Sequence, residues 1–132
     1  MSNALTLGVS HVGLTVSTLS KTVSFFESVG FRKAGGVDDY PSVFLSDGST
    51  LITVWQAKSP EPVEFDRTTN VGLHHLAIKV SSLDALNKAY DIVRGIGGVR
   101  IEFGPQPIAG LPLTHFMCCE PCGVRIEFTH HA

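Results

Sequence analysis

The chain is poor in charge, and what it has is scattered and of mixed sign: Lys, Arg, Asp and Glu make up 17% of its 132 residues, for a net charge of −2. That excludes the basic footprint with which proteins grip nucleic acid or anionic lipid. Residues 1–20 have no formal charge at all. Their alternating Ser, Thr, Asn and His, without a basic start, set them apart from a signal peptide or a membrane segment. Cysteine is scarce too: three residues, all within Cys118-Cys119-Glu120-Pro121-Cys122. They cannot all pair within the chain, and neighbours at 118 and 119 point to opposite sides of a strand. A zinc knot needs a second pair of soft ligands, and none is present. The expectation is a soluble cytoplasmic protein with reduced thiols. At this length one domain, 1–132, buries roughly two thirds of its unfolded surface and needs no staple to fold.

What the chain does have is an internal repeat. The run His11-Val12-Gly13-Leu14-Thr15-Val16 returns sixty-four positions later as His75-Leu76-Ala77-Ile78-Lys79-Val80, with the imidazole in the same place. At this offset Ser17 falls on Ser81, Leu19 on Leu83, Phe26 on Tyr90, Glu27 on Asp91 and Val29 on Val93. One histidine per half, at one structural position, suggests two side chains converging across a pseudo-twofold axis where a metal could sit.

Each half has the same order of elements. Leu19, Val23, Phe26 and Val29 form an apolar helical stripe closed by Gly30, and Leu83, Leu86, Tyr90 and Val93 repeat it. Ser81 is the candidate N-cap of the second helix, with Asp84 in its first turn and Gly95, Gly97 and Gly98 beyond its end. Short strands follow: 31–34, 42–46 and 50–55 in the first half, the last two joined by Asp47-Gly48, and 99–103, 114–119 and 124–128 in the second. Two connections remain. Residues 58–70 join the halves, and the Pro- and Gly-rich stretch 104–112 reads as a surface loop or a lid.

Strand, helix and three strands, twice over, resembles the vicinal oxygen chelate superfamily, also called the glyoxalase, bleomycin resistance and dioxygenase superfamily. The resemblance covers nearly the whole chain. It rests on the duplicated histidine strand, on Phe25-Phe26-Glu27 running into Val29-Gly30-Phe31, and on the closing Glu120-Pro121-Cys122-Gly123-Val124-Arg125-Ile126-Glu127-Phe128. That closing stretch is similar to the family's Asp-Pro-Asp-Gly turn and its following strand with a metal-binding Glu, with Glu120 and Cys122 as departures. The resemblance implies an α+β fold of two βαβββ modules, about 5–57 and about 71–130 with a linker of about 58–70, whose curled mixed sheet forms a metal-binding cup.

Carried over residue by residue, the resemblance implies His11, His75 and Glu127 as metal ligands. The remaining family position falls on Thr53, a neutral hydroxyl and a poor ligand, which is read as lining the substrate cavity. Two neutral imidazoles and one carboxylate leave open positions at a divalent transition ion, an arrangement that suits Fe and accepts Mn, Ni or Zn. Singly, a strand histidine is more often a hydrogen-bonded core residue and Glu127 would pass for an edge charge; together in the family register they read as a site. His74 must face away from His75 and is assigned to packing or to contact with a ligand. His115 is the candidate general acid or base, because its unperturbed pKa lies near neutrality. Met117 lines the substrate, and Lys79 and Arg125 either hold an anionic substrate or are solvated strand-end charges. His130 and His131 are expected to be mobile at the terminus.

The family strategy is metal chelation of a small substrate through oxygens on adjacent atoms. Each named activity lacks a residue it would want here. Met117 stands where ring-cleaving dioxygenases and fosfomycin-type transferases place a Tyr, and Thr53 where glyoxalase I has Glu or Gln. The reading is a metal-dependent enzyme with isomerase, lyase or dioxygenase-type chemistry. Its competitor is a metal-free drug-binding protein of the bleomycin-resistance type. An open cup leaves an edge and apolar surface for a partner copy, so a homodimer is expected.

Overall fold

Strong local signals and a simple pairing rule organise the molecule. The computed structural model describes residues 3–132; Met1 and Ser2, at the start of the expected domain, lie outside the described residues. The first module runs β1 (Val12–Val16), α1 (Leu19–Ser28), β2 (Arg32–Val37), β3 (Ser42–Ser46) and β4 (Leu51–Gln56). The second repeats it as β5 (Leu76–Lys79), α2 (Leu83–Val93), β6 (Arg100–Pro107), β7 (Leu113–Cys119) and β8 (Arg125–His131). Each module makes its own four-stranded sheet, in the order β1-β4-β3-β2 and β5-β8-β7-β6. In both, the first strand lies parallel to the last and the other pairs are antiparallel. The fold is α+β, two βαβββ modules in tandem.

Helix α1 buries Thr22, Val23, Phe25 and Phe26, a stripe set by the 3.6-residue period. Its N-terminus lacks a side-chain cap from Thr18. Gln56, at the end of β4, serves instead: its Oε1 accepts from Leu19 N at 2.9 Å and its Nε2 donates to Ser17 O at 2.7 Å. The other end stops at Gly30, whose φ of 111° lets Phe31 N reach back to Phe26 O at 3.1 Å. The cap of α2 is Ser82 rather than the expected Ser81, its hydroxyl accepting from Ala85 N at 3.0 Å. Adjacent serines satisfy the same sequence signal, and only the register of the first turn separates them.

Two further expectations change. The stretch expected as one loop, 104–112, is mostly strand: β6 extends to Pro107, its register slipping between Ile101 and Phe103 and again between Phe103 and Gln106. Such bulges let Gly104 and Pro105 sit in a strand that would otherwise end there. His130 and His131 are not loose ends either, since they pair with Thr114 and Leu113 as the last rungs of β8 on β7.

One core joins the modules. Phe25, Phe26, Phe116, Phe128, Leu45, Ile52, Leu86 and Ile126 are essentially inaccessible. Each such side chain contributes about 1.5–3 kcal/mol by leaving water. Phe116 and Phe128 stack at 4.8 Å, and Phe25 of α1 meets Phe128 of β8 at 6.4 Å. The helix-bearing sides of the sheets thus share the core, and alternation sends every second strand residue to the opposite, open face.

Candidate functional site

On the open face of the second sheet the register gathers the titratable groups. Ala77 pairs with Glu127, so His75 and Lys79 share its side of β5. Met117 pairs with Glu127 and His115 with Thr129 across β7 and β8. Glu127 is the centre of the group: a nearly buried carboxylate, 9% exposed, with one oxygen turned to each of two imidazoles. His75 Nε2 is 3.3 Å from Oε1, and His115 Nδ1 is 2.5 Å from Oε2. Phe103 lies against the His115 ring, centroids 4.7 Å apart, and Met117 is buried beside it. A carboxylate this enclosed demands compensating donors, and both imidazoles can supply N–H.

His74 does not turn wholly away from its neighbour: its Nδ1 is 2.8 Å from His75 Nδ1, so it steadies the imidazole that faces Glu127. Arg125 is committed elsewhere on the same face, its guanidinium donating to both oxygens of Glu102 at 2.8–3.0 Å. That fork holds the Glu102 carboxyl below the usual carboxylate range, helped by the nearby charges of Arg67 and Arg100. Glu102 had no distinguishing signal in the sequence, because the bulges of β6 break the alternation that would place it. Lys79 stands exposed beside Thr129.

The first sheet repeats the geometry with different side chains. Gly13 pairs with Thr53 as Ala77 pairs with Glu127, so Thr53 occupies the position of the carboxylate. Its hydroxyl accepts from Trp55 Nε1 at 2.9 Å. His11 precedes β1 as His75 precedes β5, but it is exposed and its hydrogen-bonding neighbour is Ser10, 3.1 Å away. Among the described residues no hydrogen bond or ion pair joins His11 to His75, and each precedes the first strand of its own sheet. Among the described residues no three His, Cys, Asp or Glu of one chain are placed to hold a metal ion. Cys118, Cys119 and Cys122 are free thiols. Among the described residues no helix is long and apolar enough to cross a membrane.

No curated protein matches the sequence. Solved structures do match in fold. A glyoxylase/bleomycin resistance protein/dioxygenase domain from Frankia sp. EAN1pec superposes with a TM-score of 0.82 at 20% identity, over 98% of this chain and 94% of that one. A fosfomycin resistance protein, FosX, from Listeria monocytogenes, complexed with Mn(II) and 1S,2S-dihydroxypropylphosphonic acid, gives 0.75 at 16% identity, over 97% and 95%. A glyoxalase family protein from Enterococcus faecalis gives 0.72 at 19%, over 93% and 97%. These likenesses establish the fold. The family model for the Glyoxalase/Bleomycin resistance protein/Dioxygenase superfamily matches residues 8–128, nearly the full length, and the chain belongs to that superfamily.

Proposed function

We propose that the protein is a metal-dependent enzyme acting on a small substrate with oxygens on adjacent atoms, at a site shared between two copies of the chain. The observation that carries this reading is Glu127, nearly buried on an open sheet face with His75 Nε2 3.3 Å from one of its oxygens. His75 and Glu127 supply an imidazole and a carboxylate from one copy, and the exposed His11 of the other supplies the second imidazole. This N,N,O set suits Fe, Mn, Ni or Zn. The FosX relative was solved with Mn(II), which agrees with such a donor set. What a bound divalent ion supplies is charge stabilisation for an oxyanion or enediolate-like state.

The chain's own part is to orient and to move a proton. His115, in line with Glu127 and packed on Phe103, is the group placed to take a proton from the substrate and return it. That favours isomerase or lyase chemistry over oxygen insertion. Thr53 and Met117 line the cavity, while Lys79 rather than the engaged Arg125 is free to meet an anionic substrate group.

A second reading, a metal-free binding protein of the bleomycin-resistance type, is favoured by the lack of three metal-binding groups in one chain among the described residues. Elemental analysis of protein purified without chelator decides between them. Stoichiometric transition metal, lost in Glu127→Gln, supports the enzyme, and metal-free protein that takes up none of the four ions overturns it.

A further inference from the structure

The open face of the first sheet enters the proposed chemistry only through His11 and Thr53, yet it carries a cluster of rings. Phe44 and Trp55 lie 5.9 Å apart between centroids, and Tyr40 meets Trp55 edge-on at 4.9 Å. The Lys58 ammonium sits 4.4 Å from the Tyr40 ring centroid. All three rings are half-buried. Because Trp55 Nε1 already donates to Thr53, the indole offers apolar surface with no polar atom left to satisfy.

Glycine flanks the cluster on both sides. Gly13 lies opposite Thr53 on β1, and Gly35 opposite Phe44 on β2. A Cβ on Gly13 would come 3.2 Å from Thr53 Oγ1 and 3.7 Å from Trp55 Nε1, and one on Gly35 would come 3.4 Å from Phe44 Cδ2. Neither glycine has a positive φ, so what each provides is space beside the rings.

We infer that this cluster seats a planar aromatic ring of a small-molecule ligand, and that the substrate is an aryl compound with oxygens on the atoms next to its ring. The placement of those oxygens rests on the proposed metal site; the seat for the ring stands on the first sheet alone. The size of the patch selects a ring over a protein partner. The register puts the polar Thr15, Ser42, Ser46 and Thr53 around Phe44 and Trp55 on this face, which confines the apolar surface to a few rings, whereas a stable protein interface covers about 800 Å² per partner. Its position selects a ligand that also reaches the ion, since His11 precedes β1 on the same side as Gly13 and Thr15.

Trp55 is the only tryptophan of the chain, so its fluorescence reads the patch directly. The full-length protein is titrated with mandelate and with lactate, which share a hydroxyl and a carboxylate on adjacent carbons and differ by the phenyl ring. Saturable quenching by mandelate and about tenfold weaker binding of lactate in calorimetry are expected. Phe44→Ala and Gly13→Ala should each remove most of that preference; the backbone at 13 accepts alanine, so this variant keeps the test open if Phe44→Ala fails to fold. Equal affinity for the two acids, or a preference that survives in folded Gly13→Ala, overturns the inference. Both chelator-stripped and metal-loaded protein are titrated. Mandelate preference in a protein that takes up no metal keeps the ring seat and rejects the metal site, and metal uptake without mandelate preference does the reverse.

Discussion

The hydroxyl of Thr22, on the first helix, donates to Oε2 of Glu120 at 2.8 Å, a buried bond that ties the two modules across 98 residues of chain. Glu120 is 1% exposed and also accepts from Cys122 N at 3.0 Å and Val124 N at 3.2 Å. Thr22→Val leaves a buried carboxylate short of one donor and is expected to lower stability by about 1–3 kcal/mol. Urea unfolding checks this: the midpoint should fall with the slope unchanged.

The site proposed between two copies of the chain predicts a pattern of complementation. His11→Ala and Glu127→Gln should each lose metal as homodimers. Every mixed dimer, however, pairs the intact His11 of one chain with the intact His75 and Glu127 of the other, and so regains one site. Metal content is measured before and after the two variants are mixed through a refolding step. Recovery on mixing supports a site between chains, and none would show that His11 does not serve its partner.

The Arg125–Glu102 fork predicts an acid-sensitive contribution. The fork lowers the folded pKa of Glu102 below its ordinary value of 4.5, so its stabilisation is full at neutral pH and is lost as pH falls through the folded value. Arg125→Met should reduce stability at pH 7 and shrink the difference from wild type at pH 3. Unfolding at the two pH values reads the double difference, and an equal deficit at both contradicts the assignment.

The thiols should be distinguishable by reactivity. Burial pushes the Cys118 thiol up to about 12, so at pH 8 it stays protonated and inaccessible, while half-buried Cys122 is the readiest to alkylate. Mass spectrometry after iodoacetamide treatment should find Cys122 modified before Cys118. The raised value also means that the fold favours the neutral thiol: stability is intact below the ordinary 9.0 and declines as pH rises from there toward 12.

The repeat made the fold legible in the sequence. Identical periodicities at a fixed offset predicted both helices and most strands, and the register confirms that Thr53 stands where Glu127 stands in the other half. The pairing of His75 with Glu127 followed from the family resemblance rather than from periodicity. What escaped reading was set by tertiary contacts. Glu120 and Cys122 looked like departures from the family turn, yet both reach the first module, Glu120 through Thr22 and Cys122 through its Sγ, 3.4 Å from Thr18 O. Glu120 has one methylene more than the Asp of the family turn, length that serves this reach. Glu102 and the aromatic group around Trp55 were missed for a related reason: a bulge hides alternation in β6, and ring contacts between Tyr40, Phe44 and Trp55 depend on strand order, which a one-dimensional pattern does not carry.

Matched register has a consequence for engineering. Ser42 pairs with Trp55 as His115 pairs with Thr129, and Phe44 with Thr53 as Met117 with Glu127. At these corresponding places the second sheet carries two ionisable side chains, His115 and Glu127, and the first sheet none. A variant library confined to Ser42, Phe44, Thr53 and Trp55 therefore reshapes the face proposed to seat the ligand while every ionisable group of the other sheet's open face stays as it is, so the two proposed roles are separately mutable in a single chain.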